Sequence, residues 1–324
     1  WALIEASRLA APVPRDFYAE REVVMEERRM RVESEPLGAL FEELFTVAFS
    51  ASPYRWPTVG YFSDLHALTV EDAMRFHEEH YAPANAVGAL VGDIDLEATK
   101  KLLDRTFGAI PARPLPRSAP PREPPQTSQR RSTVFFNAEP QLAMAFHKPT
   151  LPSREDYVFD VIQLVLTEGR TSRLWRSVVQ QKQLAAQLFG TMGPGARLDH
   201  LFIIGATPMA GRRFEEVEEA IWAELERLKR EGISLRELQM VQNKLSAHHA
   251  REISTNAGLA SSLTYFETLA GDWRYMADHR KNIASITPKD VQEVAQRYFV
   301  PENSTIVRLQ RKPGAADAKK EAAR

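Results

Sequence analysis

Several places in this sequence set side chains able to do metal or acid–base chemistry close together. In RFHEEHYAPAN (75–85), His77 and His80 flank two glutamates. A helical zinc pair usually has its histidines four apart, with a glutamate between them as base. Here they are three apart and nothing nearby completes a ligand set, so a packing role is the better reading. In AEREVVMEERRMR (19–31), Glu20 and Glu27 are seven apart. Seven residues are nearly two helical turns, so both carboxylates share a face. From spacing alone, a solvated acidic–basic helix explains them best. His248 and His249, in KLSAHHARE, point in different directions on one helix and do not easily serve one site. His147 and His200 look isolated at strand ends. MGPGARLDH (192–200) lacks the glycine spacing of a phosphate loop.

The elements carrying these residues follow from periodicity and punctuation. Helices are expected over 16–33 and 36–50, and over 69–81 with Thr69 as N-cap and Asp72 closing the capping box. AVGALVG (86–92) reads as a short strand, and Asp95 caps the next helix. Strands are expected at 132–138, 141–147, 184–193 and 200–208, with a helix from Ser153 to Val165. FEEVEEAIWAELERLKREG (214–232) is an amphipathic helix stopped by Gly232. Ser234 and Glu237 start another long helix.

An internal repeat organises the chain. LTVEDAMRFHEEHYAPANAV (68–87) aligns without gaps on ITPKDVQEVAQRYFVPENST (286–305), an offset of 218 positions from Thr69 to Thr287. Asp72 matches Asp290, Pro83 matches Pro301 and Asn85 matches Asn303. Cap, amphipathic helix, aromatic end, x-Pro-x-Asn turn and strand recur in order. In the second copy His77 becomes Ala295 and His80 becomes Tyr298, as suits packing positions rather than metal ligands.

Between the copies, residues 111–131 hold seven prolines and almost no large apolar residue. Proline stiffens such a stretch and denies it ladder hydrogen bonds, as in a linker. The expected organisation is a first domain over 1–110, the linker 111–131, a homologous second domain over 132–312, and a disordered tail over 313–324. The expected class is α+β: two homologous domains, each a mainly antiparallel sheet with helices packed on one face. The opening WALIEASRLAAPVPRDF has neither a Met start nor a signal peptide, and reads as though residues precede it.

Composition narrows the function. Of the 324 residues 44% are hydrophobic and 26% charged, and the formal net charge is −1. Nucleic-acid binding, which favours a basic excess, is disfavoured. There is no cysteine, so thiolate metal sites, thiol nucleophiles and disulfides are excluded. No apolar run approaches the roughly 20 residues that span a bilayer.

The ordered series EREVVMEERRMR, FEELF, YRWPTVG, LTVEDAMRFHEEHYAPANAV and VGDID resembles the pitrilysin/insulinase family of zinc peptidases. In the second domain LTEGRTSRLW and QQKQLAA extend the resemblance over nearly the whole chain. Members bind zinc through an H-x-x-E-H helix and a glutamate on a later helix, with another glutamate seven residues earlier supporting the site. The resemblance therefore assigns Glu27 as a metal ligand and Glu20 as the supporting carboxylate. Glu26 points about 100° away and ranks second. It implies Zn2+ in the intact protein and metal-activated water attacking unfolded peptides bound in extended form along a sheet edge.

Two departures qualify this. No H-x-x-E-H occurs in these residues, so the histidine ligands and the base would lie upstream of Trp1. Some members also carry an arginine–tyrosine pair that contacts substrate; Val179 and Ala186 stand in its place here. The chain thus resembles the zinc-bearing subunit of a two-subunit bacterial enzyme whose homologous partner supplies that pair. The alternative is a non-catalytic scaffold or partner-binding subunit of the same fold. Bacterial members are often exported, which points to the periplasm, while the sequence itself leaves the compartment open.

Overall fold

The computed structural model describes residues 1–116 and 119–312. In chain order the helices and strands are α1 (Ala2–Ala10), α2 (Phe17–Arg28), α3 (Pro36–Ala48), α4 (Phe62–Ala67), α5 (Val70–His80), α6 (Leu96–Thr106), β1 (Arg130–Phe135), β2 (Gln141–Lys148), α7 (Arg154–Thr167), β3 (Ala185–Gly193), β4 (His200–Pro208), α8 (Phe214–Glu231), α9 (Leu235–Glu252), α10 (Asn256–Ala270), α11 (Arg274–Ala284), α12 (Pro288–Tyr298) and β5 (Ser304–Gln310). Packing divides the chain into two units, neither continuous in sequence. Unit 1 comprises Trp1–Arg29, Thr58–Pro120 and Ala250–Met276; unit 2 comprises Met30–Pro57, Pro121–His249 and the residues from Ala277 on. The tail expected to be disordered, 313–324, lies outside the described residues.

Unit 2 is built on a five-stranded sheet in the order β1-β5-β2-β4-β3. β1 runs parallel to β5 and every other pairing is antiparallel. The α+β class and the mainly antiparallel sheet match the expectation. On one face α7, α8 and α12 bury Phe159, Ile162, Val217, Ile221, Val291 and Phe299 against Met144, Phe146, Phe202 and Ile204. The expectation of helices on one face only is corrected for this sheet. On the opposite face α3 lays Leu40, Leu44 and Ala48 against Ala143, Ala145, Leu201, Ile203, Val307 and Leu309. The reason is in the strands: LAMAF and LFIIGA are continuous apolar runs, and such strands need both faces covered.

The junction after α3 is held by complementary charge. Arg130 Nη1 donates to the carbonyls of Val47 (3.0 Å) and Ala48 (2.6 Å), and the His147 ring nitrogen lies 3.0 Å from the Ala48 carbonyl. The next donors turn to Glu123, from the proline-rich stretch. Its carboxylate accepts from Ser50 N (2.8 Å), Ser50 Oγ (2.7 Å), Ala51 N (2.8 Å) and Ser52 N (2.9 Å). Burial by itself would raise this carboxyl, but the hydrogen bonds outweigh it and hold it at about 2.

A buried polar cluster joins β2, β4 and α7. Lys148 pairs with Asp156 and its Nζ donates to His200 Nε2 at 3.1 Å. Burial, then the Lys148 charge, push His200 down to about 4. Asp160 sits one helical turn beyond Asp156. Burial, reinforced by Asp156 and opposed by Lys148, raises it from 3.8 to about 7. A raised acid binds more protons folded than unfolded between those values, so its contribution is full below about 4 and is lost as pH rises through about 7. Asp160→Asn is accordingly expected to stabilise the chain more at pH 8 than at pH 4.5. Urea midpoints at the two pH values check this; an equal shift at both would refute it.

Unit 1 is helical among the described residues. Residues 86–92, expected as a strand, carry no strand assignment. A strand persists only by pairing, and no described segment supplies a ladder to these residues.

The repeat is real in hydrogen-bond detail. Thr69 with Asp72 and Thr287 with Asp290 both form complete capping boxes. Each helix is followed by a 3-10 turn, Pro83–Asn85 or Pro301–Asn303. Asn85 Nδ2 donates to the His80 carbonyl at 3.0 Å, and Asn303 Nδ2 to the Tyr298 carbonyl at 2.9 Å.

Candidate functional site

α2 carries both candidate carboxylates and is fixed by its arginines. Arg21 Nη1 donates to the carbonyls of His66 (2.9 Å) and Leu68 (3.1 Å). Arg28, buried and one residue beyond Glu27, donates from Nη1 to the Gly60 carbonyl at 2.7 Å. Its guanidinium lies 5.7 Å from the Tyr61 ring centre. Arg21 and Arg28 are seven apart, so one stripe of α2 faces the 60–68 segment, with Met25 buried alongside. Glu20 and Glu27 each precede an anchoring arginine by one residue, placing them on the stripe about 100° around. Glu27 is half-buried and Glu20 exposed. Glu26 is engaged by Arg29 at 2.9 Å. The arginine anchors carried no signal in a sequence reading that treated them as partners in a solvated helix.

Arg28→Ala is expected to destabilise unit 1 by about 1.5–3 kcal/mol, since it removes the charged hydrogen bond from a buried guanidinium to the part-buried Gly60 carbonyl. Arg28→Lys would not restore it, because an ammonium lacks the planar fork. Urea unfolding followed by circular dichroism reads this, and an unmoved midpoint counts against the anchor.

The residues present do not by themselves fit a zinc site. Among the described residues no three His, Asp or Glu side chains gather to hold a metal ion. His77 stacks on Tyr81 (4.8 Å between ring centres) and His80 on Phe76 (4.4 Å). His80 Nδ1 also lies 3.1 Å from the Phe76 carbonyl. His249 stacks on His279 at 4.5 Å, and His279 meets Tyr157 edge-on at 5.6 Å. Val179 packs partly buried against the core of unit 2, and Ala186 lies at the irregularity of β3 between Ala185 and Gln187. β3 is the free edge of the sheet opposite β1. Among the described residues no helix is long and apolar enough to cross a membrane.

The chain combines a five-stranded α+β unit covered by helices on both faces with a helical unit bearing the same cap–helix–turn motif. Residues 67–245 match the family described as the Peptidase M16 inactive domain. The chain belongs to the M16 peptidase family, as its resemblance to the pitrilysin/insulinase peptidases implied. It is 28% identical over 301 residues to the zinc protease PqqE of Helicobacter pylori, covering 91% of this chain and 67% of that protein. It is 24% identical to an uncharacterized zinc protease of Mycobacterium leprae, covering 87% of this chain and 63% of that protein. Among solved structures, a protease from Helicobacter pylori superposes with a TM-score of 0.87 at 26% identity, covering 95% of this chain and 76% of the other. The peptidase M16 inactive domain from Pseudomonas fluorescens gives 0.85 at 17% identity, covering 96% and 74%, a likeness of fold alone.

Proposed function

We propose that this chain is the larger part of a zinc-dependent endopeptidase that cleaves unfolded peptides, and that Glu27 is one ligand of its metal with Glu20 supporting it. What carries the reading is the pairing of two carboxylates seven apart on an anchored helix with relatives named zinc proteases that match 87–91% of the chain. This chain's own part is positional. Arg21 and Arg28 fix the rotation of α2, and hence the direction in which Glu27 presents its oxygens. The remaining ligands and the general base belong to polypeptide outside residues 1–324. A homologous second subunit would supply the arginine–tyrosine pair that Val179 and Ala186 do not provide.

The second reading, a non-catalytic scaffold, is favoured by the description of the matched family as an inactive domain. The full gene product decides between them. Under the first reading it carries one zinc per chain and cleaves a fluorogenic unstructured peptide, and Glu27→Gln loses both. A wild-type protein with neither zinc nor cleavage, alone or with its partner, would establish the scaffold. Full cleavage by Glu27→Gln would remove Glu27 from the site.

A further inference from the structure

α9 and α11 are joined at two places within unit 2, about two helical turns apart. At one, Gln242 Nε2 of α9 donates to the carbonyls of Ile283 (2.9 Å) and Ile286 (3.1 Å), at and just past the end of α11. Ile283 and Ile286 are buried in the core, so this end is fixed. At the other, His249 of α9 stacks on His279 of α11, with ring centres 4.5 Å apart and planes 22° from parallel. The buried Tyr157 ring of α7 meets His279 edge-on. His279 Nδ1 is buried and makes no hydrogen bond among the described residues. The chain leaves unit 2 after His249 and re-enters it at Ala277, so the pair stands where α9 departs and α11 returns.

Nothing packed around the stack favours a proton on it. The charges acting on His279 are those of His249 and His248, both on α9, and no carboxylate is among them. On α7, Arg154 is taken by Asp290, Glu155 by Arg297 and Tyr298, and Asp156 by Lys148, with Asp160 in that same cluster. On α9, Lys244 pairs with Glu168 at 3.1 Å, and Arg251 and Glu252 are exposed. On α11, Asp278 and Arg280 are exposed and point about 100° to either side of His279. Burial, then the charges of His249 and His248, push His279 down from 6.5 to about 4. Two neutral imidazoles stack well in such a place, whereas two protonated ones set like charges face to face. We propose that the His249–His279 stack is a pH-sensitive clasp, closed near neutral pH and released in mild acid, that frees the start of α11 from α9 while Gln242 holds its end. A ring released into water binds more protons than the stacked one between about 4 and 6.5. The clasp is therefore fully closed above about 6.5 and loosens steadily as pH falls towards 4. None of this depends on Glu27 or on zinc.

Amide hydrogen exchange of the full gene product at pH 7.5 and pH 5.0, corrected for intrinsic rates, tests the clasp. Opening at 277–281 should be about 30-fold more frequent at pH 5.0, the ratio that a shift from 6.5 to about 4 gives, while the core helix α8 changes little. The double variant His249→Phe/His279→Phe keeps two stacked rings without a titratable nitrogen, and its opening at 277–281 should be equal at both pH values. His248→Gln should keep most of the response. A nuclear magnetic resonance titration of the wild-type imidazole protons needs no variant to fold, and should find His279 neutral down to about pH 5. Equal protection of 277–281 at both pH values in the wild type would overturn the clasp. So would a pH response that survives in the double variant, or a His279 that titrates near 6.5.

Discussion

Glu123→Ala should cost about 2–4 kcal/mol at neutral pH, because it strips the acceptor from three backbone N–H groups and one hydroxyl together. Ser52, the innermost donor, is 2% exposed and has little water to turn to. Glu123→Gln should lose nearly as much. An amide offers one acceptor oxygen and sets an NH2 against donors that were paired with the other. The pH dependence carries the sign. The folded carboxyl is depressed from 4.5 to about 2, so its contribution is complete above about 4.5 and is lost as pH falls through 2. Wild type and Glu123→Ala should therefore differ in urea midpoint at pH 7 and converge towards pH 2. Equal midpoints at pH 7 would mean that the loop after α3 holds its shape without this carboxylate.

Under the proposed function, Glu27→Gln in the full gene product should abolish peptide cleavage, with zinc content falling in step. A neutral amide oxygen would be a far poorer ligand than a carboxylate for the dication that reading places there. Glu20→Gln should lower activity by about 10- to 100-fold, the range for residues that orient a ligand without binding the metal. The ordering distinguishes the proposed roles: the loss at Glu27 must exceed that at Glu20, and Glu26→Gln should change little, since Glu26 is occupied by Arg29 on another face. Equal losses at positions 20 and 26 would reduce the supporting role to a general effect of charge. Circular dichroism of each variant separates loss of activity from loss of fold, with the helix anchored through Arg21 and Arg28 in all three.

Local signals were legible in the sequence. The capping boxes at Thr69 and Thr287 formed as read, and β4 spans 200–208 as expected. Gly232 stops α8 with a positive φ of 66°, where a side chain would be strained. These features depend on residues three or four apart, or on one residue's own dihedral freedom, so short windows contain their cause. The strand expected at 86–92 did not form because a strand persists only by pairing, and among the described residues no segment pairs with it. α3 looked like part of the first domain by position, but the apolar outer faces of β2, β4 and β5 draw it onto the sheet of unit 2. Glu123 looked like one charge among prolines, and only the approach of the loop after α3 makes it an anchor.

By itself, the sequence determined where the capped helices such as α5, α6 and α8 begin or end, that one motif is used twice, and that two carboxylates share a helical stripe. The tertiary structure alone decided which surfaces meet: both faces of the sheet covered, and the arginines of α2 turned inward. Helix ends and turns are settled by hydrogen bonds between near neighbours in the chain. Burial is settled by whichever apolar surface, however distant in sequence, comes to lie opposite.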